Sequence, residues 1–286
     1  MHIGKAGQVA AFDRVTGELN RGHMNAAMFT SIEMPLSTHP ALRVFGARRG
    51  SSWPVVVQTP AGQFLTKLRG AAQGTAPLIA EIIVAELATL LGLPVPERAL
   101  ITLSDDVPSD DERDELLDLL NASRGENLGF RLLAGAADLR EDQLSLVGAE
   151  LATRIVWLDG LVMNPDRTAM NPNILLWHRQ PWLIDHGAAL PFHYDWSSVT
   201  EESPRASGPS AREHLLMRRV ERIAEVDALC ARILSRDALT TSVARVPRAF
   251  ITSAFPHDDP ERIRLSYVAF LWKRLKAPRP FLPDVT

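Results

Sequence analysis

Apolar and polar positions are most clearly patterned between Leu42 and Leu190. The segment LRVFGARRGSSWPVVVQTPAGQFLTKLRG alternates short β-rich runs with glycine-bearing turns at Gly46 to Ser52 and at Pro60-Ala61-Gly62, which predicts a β-meander of two or three strands. Apolar residues then fill most of a helix expected from about Pro77 to Leu91, with Pro77 near its start, Gly92 as C-terminal cap and Pro94 beyond. A helix so widely apolar is expected to be buried on more than one side, and two acids, Glu81 and Glu86, interrupt it. PVPERALITL and Asn127 to Leu133 read as further strands; between them SDDVPSDDERDELLDLL reads as an acidic, solvated loop and a short amphipathic helix. A long apolar helix from Gln143 to Val162 leads into a polar loop. Two short apolar runs, Ile174 to Trp177 and the one ending at Asp185, then form a hairpin about His178 to Pro181. Ala211 to Leu234 reads as an amphipathic helix with arginines on its polar face, and ERIRLSYVAFLWKRLK as a last helical segment. Residues 1 to about 40 show no usable period and are expected either to form an N-terminal extension packed on the first lobe or to be partly disordered.

The polar loop and the hairpin carry the chemistry. Four residues separate Asp166 from Asn171 and six separate it from Asn173, while the hairpin ends in Asp185-His186-Gly187. Phosphoryl transfer gives this order a physical meaning. One loop aspartate can accept the proton of a hydroxyl nucleophile, while an asparagine carbonyl and a second aspartate grip Mg²⁺ with hard oxygen ligands. The kinase pattern H-R-D-x-x-x-x-N followed by D-F-G has this layout. Asp166 and Asn171 satisfy its spacing, and D-H-G stands where D-F-G would. Asn173 is the preferred metal ligand beside Asp185, because it directly precedes the strand that carries the hairpin; Asn171 is the alternative ligand or a loop-shaping turn residue. The plainer reading makes Asn-Pro-Asp and Asn-Pro-Asn turn dipeptides flanking a hairpin.

Upstream, a glutamate inside a mostly apolar helix wants a partner, since an unpaired buried carboxylate is costly. Lys67, in the strand-like run GQFLTKL, is the nearest candidate, and Glu81 is preferred to Glu86 because it lies in the N-terminal half of the helix. A strand lysine paired to a helix glutamate is how kinases hold the lysine toward the α- and β-phosphates. The plainer alternative has Lys67 snorkelling from an edge strand and the glutamate reaching solvent. Gly46, Gly50, Ser51 and Ser52 form a turn suited to letting backbone amides approach phosphates, although it matches neither G-x-G-x-x-G nor G-x-x-x-x-G-K-[ST] and a simple hairpin turn has the same composition.

Composition narrows the partners more than the chemistry. At 286 residues and 46% hydrophobic, the chain can bury a substantial core as one large domain or two lobes. A net charge of -3, with Lys and Arg spread along the length, gives no reason to expect nucleic acid or an anionic membrane as a partner, and the pairs Arg218-Arg219 and Lys273-Arg274 read as solvated helix faces. The single cysteine, Cys230, excludes an internal disulfide framework and reads as buried filler. No signal-peptide h-region and no apolar run of membrane-spanning length are evident, so a cytoplasmic location is expected.

Lys67, Glu81, the loop N-P-D-R-T-x-x-N-P-N-I-L and the hairpin end W-L-I-D-H-G-A-A-L together resemble the HipA-like kinases, in particular the branch of bacterial stand-alone domains. The resemblance covers about residues 42 to 195. It implies an α+β, two-lobed protein-kinase-like fold with a β-rich N-lobe and a mainly helical C-lobe. Residues 1–134 would hold the extension and N-lobe, and 135–286 the C-lobe with the catalytic loop and D-H-G. It further implies ATP and Mg²⁺ as cofactors and transfer of the γ-phosphoryl group to a hydroxyl of a protein (Ser/Thr) or small molecule. Carried over by position, Lys67 would contact phosphates together with the Gly50-Ser51-Ser52 turn, Glu81 would orient Lys67, Asp166 would be the catalytic aspartate and Asp185 would hold metal. The sequence departs from the protein-kinase pattern at His186, which replaces phenylalanine, and at Arg167, which follows the aspartate instead of preceding it. A binding module that keeps the fold without catalysis is the competing reading; the joint presence of Lys67, Asp166, the two asparagines and Asp185 argues against it.

Overall fold

The computed structural model describes residues 35–47, 53–208 and 213–283. The β-rich runs close into one curled sheet. Its strands are β1 (Thr38–Pro40), β2 (Arg43–Ala47), β3 (Val55–Thr59), β4 (Gly62–Lys67), β5 (Arg98–Leu103) and β6 (Gly125–Arg131), in the spatial order β1-β5-β6-β4-β3-β2. All neighbours are antiparallel except β1 and β5, a parallel pair that the sequence pattern did not announce. Helix α1 (Ala76–Leu90) follows β4, and α2 (Asp114–Ala122) follows β5.

Strand alternation gives the sheet two buried faces. Val55, Val57, Phe64, Ala99, Ile101 and Leu103 pack with Leu116 and Leu120 of α2. On the opposite face Leu100, Leu128 and Phe130 meet α1, whose own apolar residues continue into the helical part of the chain. This double duty explains the composition of α1: it is buried along most of its length because the sheet lies on one side and C-terminal helices on the other. Gly129 of β6 is required by close packing, since a Cβ there would lie 2.6 Å from the side chain of Ile101.

The helical half begins after the short β7 (Ala137–Asp138), which joins the hairpin strands β8 (Ile174–Trp177) and β9 (Gln180–Leu183) in a three-stranded sheet. Helix α3 (Ala149–Leu161) precedes the polar loop, and α4 (Ile223–Ile233), α5 (Arg236–Ala244), α6 (Arg248–Ala254) and α7 (Pro260–Leu275) complete the chain. The hairpin turns through His178 and Arg179, both at positive φ (48° and 64°), as a two-residue turn matching strand twist requires. The result is the expected α+β, two-lobed, kinase-like architecture. Among the described residues no helix is long and apolar enough to cross a membrane. Cys230 is fully buried on α4, and burial pushes its thiol up to about 11.

Three expectations are corrected. The helix anticipated from Gln143 is split: Glu141–Leu146 is a 3-10 turn, and α3 starts only after Val147 and Gly148, whose extended backbone breaks the helical path. The helix anticipated from Ala211 begins at Ile223. The preceding chain is held in irregular form by tertiary bonds, among them Leu215 N–H to the Arg167 carbonyl (2.9 Å) and Glu221 N–H to Thr153 Oγ1 (3.0 Å), and Arg222 enters α4 at φ 51°. Arg274 is not on a solvated face. It is fully buried, and its guanidinium donates to the carbonyls of Gly160, Leu161, Pro204 and Ala206, tying α7 to α3 and the turns that follow the hairpin.

Candidate active site

Lys67 closes β4 on the face opposite Phe64 and Thr66, which directs it at α1 rather than at the α2 side of the sheet. There its ammonium meets Glu81, which is fully buried, and Asp185 Oδ1 at 2.6 Å. Glu81 uses its other oxygen to accept from the His186 amide (2.9 Å), so one carboxylate ties together β4, α1 and the segment after β9. Glu86 is engaged elsewhere, bound by Arg98 (2.8 Å) and Arg245 (3.1 Å). β4 lies between β6 and β3, so Lys67 does not sit on an edge strand.

Charge balance in this cluster follows from burial and pairing. Burial opposes the Lys67 charge, but Glu81 and Asp185 outweigh it and raise the ammonium above its ordinary range, so it keeps its proton. Burial lifts the Glu81 carboxyl, with Lys67 opposing. Burial also works against ionised Asp185, yet Lys67 holds that carboxyl below its usual value. Buried beside Arg167, His186 is pushed down to about 3 and is therefore a neutral imidazole.

The polar loop faces this cluster across a cleft of about 720 Å³ whose lining includes Lys67, Asp166, Asn171, Asp185 and Gly187. Asn171 Nδ2 donates to both oxygens of Asp166 at 2.9 Å, and Asn173 Nδ2 donates to the Asp166 carbonyl (2.6 Å) and carboxylate (3.2 Å). The two asparagines differ in setting. Asn171 is exposed, whereas Asn173 is 7% exposed, and its backbone carbonyl takes hydrogen bonds from Ile184 N (3.1 Å) and Arg167 (2.5 Å). Both Asn173 (φ 48°) and Asp185 (φ 54°) occupy the left-handed region, which Asn and Asp tolerate better than other side chains. Gly187 lets the chain pass close to α1, where a Cβ would come within 3.3 Å of Pro77.

Among the described residues no group of three or more His, Cys, Asp or Glu side chains is placed to hold a metal. The available donors are instead the carboxylates of Asp166 and Asp185 and the amide carbonyl of Asn171 at the cleft, with the amide carbonyl of Asn173 behind Asp166. All are hard oxygen donors of the kind that bind Mg²⁺ incompletely and leave positions for phosphate oxygens and water, so the residues fit such an ion. Gly50, Ser51 and Ser52 lie outside the described residues.

Below the loop lies a buried polar layer that the sequence reading did not assign. Asp159 of α3 accepts from Arg167 Nε (2.5 Å), His214 Nε2 (3.0 Å) and Asn164 Nδ2 (2.8 Å). Burial opposes its charge, but Arg167 and His214 hold the carboxyl well below the usual range. The available signal was an aspartate within the apolar run Ile155 to Val162, the same argument that picked out Glu81.

A two-lobed fold with a lysine–glutamate pair facing an Asp/Asn loop and a D-H-G turn across one cleft defines a protein of the kinase class. The chain belongs to the HipA-like kinase family, whose profile matches residues 47–271. No curated protein matches it at a significant level. Membership makes it a kinase-type phosphotransferase by family.

Proposed function

We propose that this protein transfers the γ-phosphoryl group of ATP, with Mg²⁺, to a hydroxyl of a protein serine or threonine or of a small molecule. The observation that carries the reading is the convergence of Lys67, Asp166, Asn171 and Asp185 on one cleft, with buried Glu81 paired to Lys67 and Asn173 bonded to Asp166 behind them. In this reading Lys67, steered by Glu81, meets the phosphates. Asp166 accepts a hydrogen bond from the acceptor hydroxyl and takes its proton as the new P–O bond forms and the bond from the γ-phosphorus to the β-phosphate oxygen breaks, releasing ADP. Asp185 and Asn173 hold the ion, with Asn171 fixing Asp166. Bound Mg²⁺ supplies charge neutralisation at the phosphate oxygens.

Asn171 and Asn173 both present N–H to Asp166, which turns their amide oxygens away from its carboxylate; this is the orientation in which those oxygens are free to serve as ligands. Lys67 meets Asp185 directly, so Asp185 would hold the ion beside the ammonium. The test is incubation of the protein with γ-labelled ATP, Mg²⁺ and a cell lysate fractionated into macromolecules and small molecules. Label on one acceptor, absent with Asp166→Ala, supports the reading. Mg²⁺-dependent nucleotide binding without transfer to either fraction would replace it with a binding module.

A further inference from the structure

We infer that Arg167 is a positioning residue that locks the backbone carrying Asp166, Asn173 and Asp185 in one arrangement before nucleotide arrives. The inference rests on the phosphoryl-transfer reading above. Arg167 is adjacent to Asp166 in the chain and only 1% exposed. Its guanidinium makes four contacts with three residues. Nε and Nη2 meet Asp159 (2.5 and 3.4 Å), Nη1 donates to the Asn173 carbonyl (2.5 Å), and Nη2 lies 3.4 Å from His186 Nδ1. The Asn173 carbonyl also accepts from Ile184 N, so the residues on both sides of Asp185 are tied to this one group.

A second route leads from Asp159 back to Asp166. Asn164 donates to Asp159 Oδ1 (2.8 Å) and accepts from the Asp166 amide (3.1 Å). His214 completes the layer. Its Nδ1 accepts from the Leu216 amide (3.1 Å), which places the ring proton on Nε2, and that N–H donates to Asp159 Oδ2. Leu215 N–H in turn donates to the Arg167 carbonyl (2.9 Å). The segment after the hairpin thus braces the loop from below. Asn173 and Asp185 adopt left-handed backbone that needs such external support. Only a planar fork of fixed donors spans these partners; a lysine presents a point charge and cannot.

A merely structural buried ion pair would support the core without influencing metal binding. The two roles separate in Arg167→Lys, which keeps the charge and loses the fork. Titration of ATP binding against Mg²⁺ by calorimetry is expected to show a Mg²⁺ requirement raised about 10–100-fold, the usual effect of removing a support behind a ligand, with metal-free ATP binding unchanged. Amide hydrogen exchange in the nucleotide-free protein should accelerate at Ile184 and Leu215 but not in α7. His214→Ala removes one donor from Asp159 without touching the guanidinium, and is expected to act in the same direction by a smaller factor, which keeps the test available if Arg167→Lys does not fold. A wild-type Mg²⁺ requirement in the folded variants, or exchange accelerated uniformly along the chain, overturns the assignment of Arg167. Wild-type protein that binds no Mg²⁺-nucleotide overturns the phosphoryl-transfer reading itself, and the assignment with it.

Discussion

Removing the Lys67 ammonium should cost far more stability than removing the Glu81 charge, although both belong to one ion pair. Glu81 is fully buried, whereas the Lys67 side chain is 12% exposed and holds Asp185 at 2.6 Å as a second partner. In Lys67→Met, Glu81 keeps the His186 amide at 2.9 Å but faces the Asp185 carboxylate without the ammonium between them. Stranding a buried charge in this way costs about 3–5 kcal/mol. In Glu81→Gln the lysine retains Asp185, and the amide oxygen can still accept from His186, so the loss is about 1–2 kcal/mol. The double variant should fall about 1–2 kcal/mol short of the sum of the singles, because the two changes share an interaction. The penalty of Lys67→Met also has a pH signature. Burial already raises the folded Glu81 pKa above its ordinary 4.5 with Lys67 opposing, so losing Lys67 raises it further, and a raised carboxyl contributes stability that is present below the unfolded value and lost as pH rises. The penalty relative to wild type should therefore grow, by up to about 1.4 kcal/mol per unit, once pH passes the wild-type folded value and until it passes that of the variant. Urea unfolding of the four proteins at pH 5, 6 and 7.5 measures all of this. Equal and additive losses, or a Lys67→Met penalty flat with pH, would refute the reasoning.

Two further outcomes follow from the same geometry. Burial pushes His186 and His193 down to about 3 from an ordinary 6.5, so on acidification the unfolded chain takes up their protons first and stability is lost from pH 6.5 downward, at about 1.4 kcal/mol per unit for each ring; denaturation at pH 7.5, 6 and 5 should show the slope, and His193→Gln should lower it by one proton's worth. Asn173→Ala should raise the Mg²⁺ concentration needed for half-maximal turnover sharply and Asn171→Ala much less, since Asn173 is fixed by the hairpin while Asn171 is exposed; the reverse order in a Mg²⁺ titration would transfer the ligand role to Asn171.

What the sequence made legible was whatever one local rule determines. The β-meander, the bounds of α1 and the hairpin follow from alternation, capping and turn chemistry, and the placement of Lys67 opposite Glu81 follows from the cost of an unpaired carboxylate inside an apolar helix. The same rule, applied to Asp159, points to a buried partner, but not to which of the distant cations supplies it. Arg167, eight residues on, and His214, beyond the hairpin, meet there only because the chain folds back. Irregular segments were the hardest to read. Residues 213–222 carry a helix-like pattern, yet backbone bonds to Arg167 and Thr153 and the packing of Leu216 and Val220 override it. Arg274 failed for a related reason: two carbonyls at the end of α3 and three from the later turns satisfy it, and no local pattern encodes them.

The role given to Asp166 is the point on which the account turns, and single-turnover phosphoryl transfer in Asp166→Ala, with Mg²⁺-ATP occupancy measured on the same sample, tests it most directly. Asp166 is a half-buried loop residue whose carboxylate contacts only Asn171 and Asn173 among the described residues, so its loss leaves the core intact. The account predicts a folded protein that binds Mg²⁺-ATP and transfers phosphoryl groups at least about 100-fold more slowly, the scale of a lost general base. Transfer at the wild-type rate in nucleotide-loaded Asp166→Ala would contradict it.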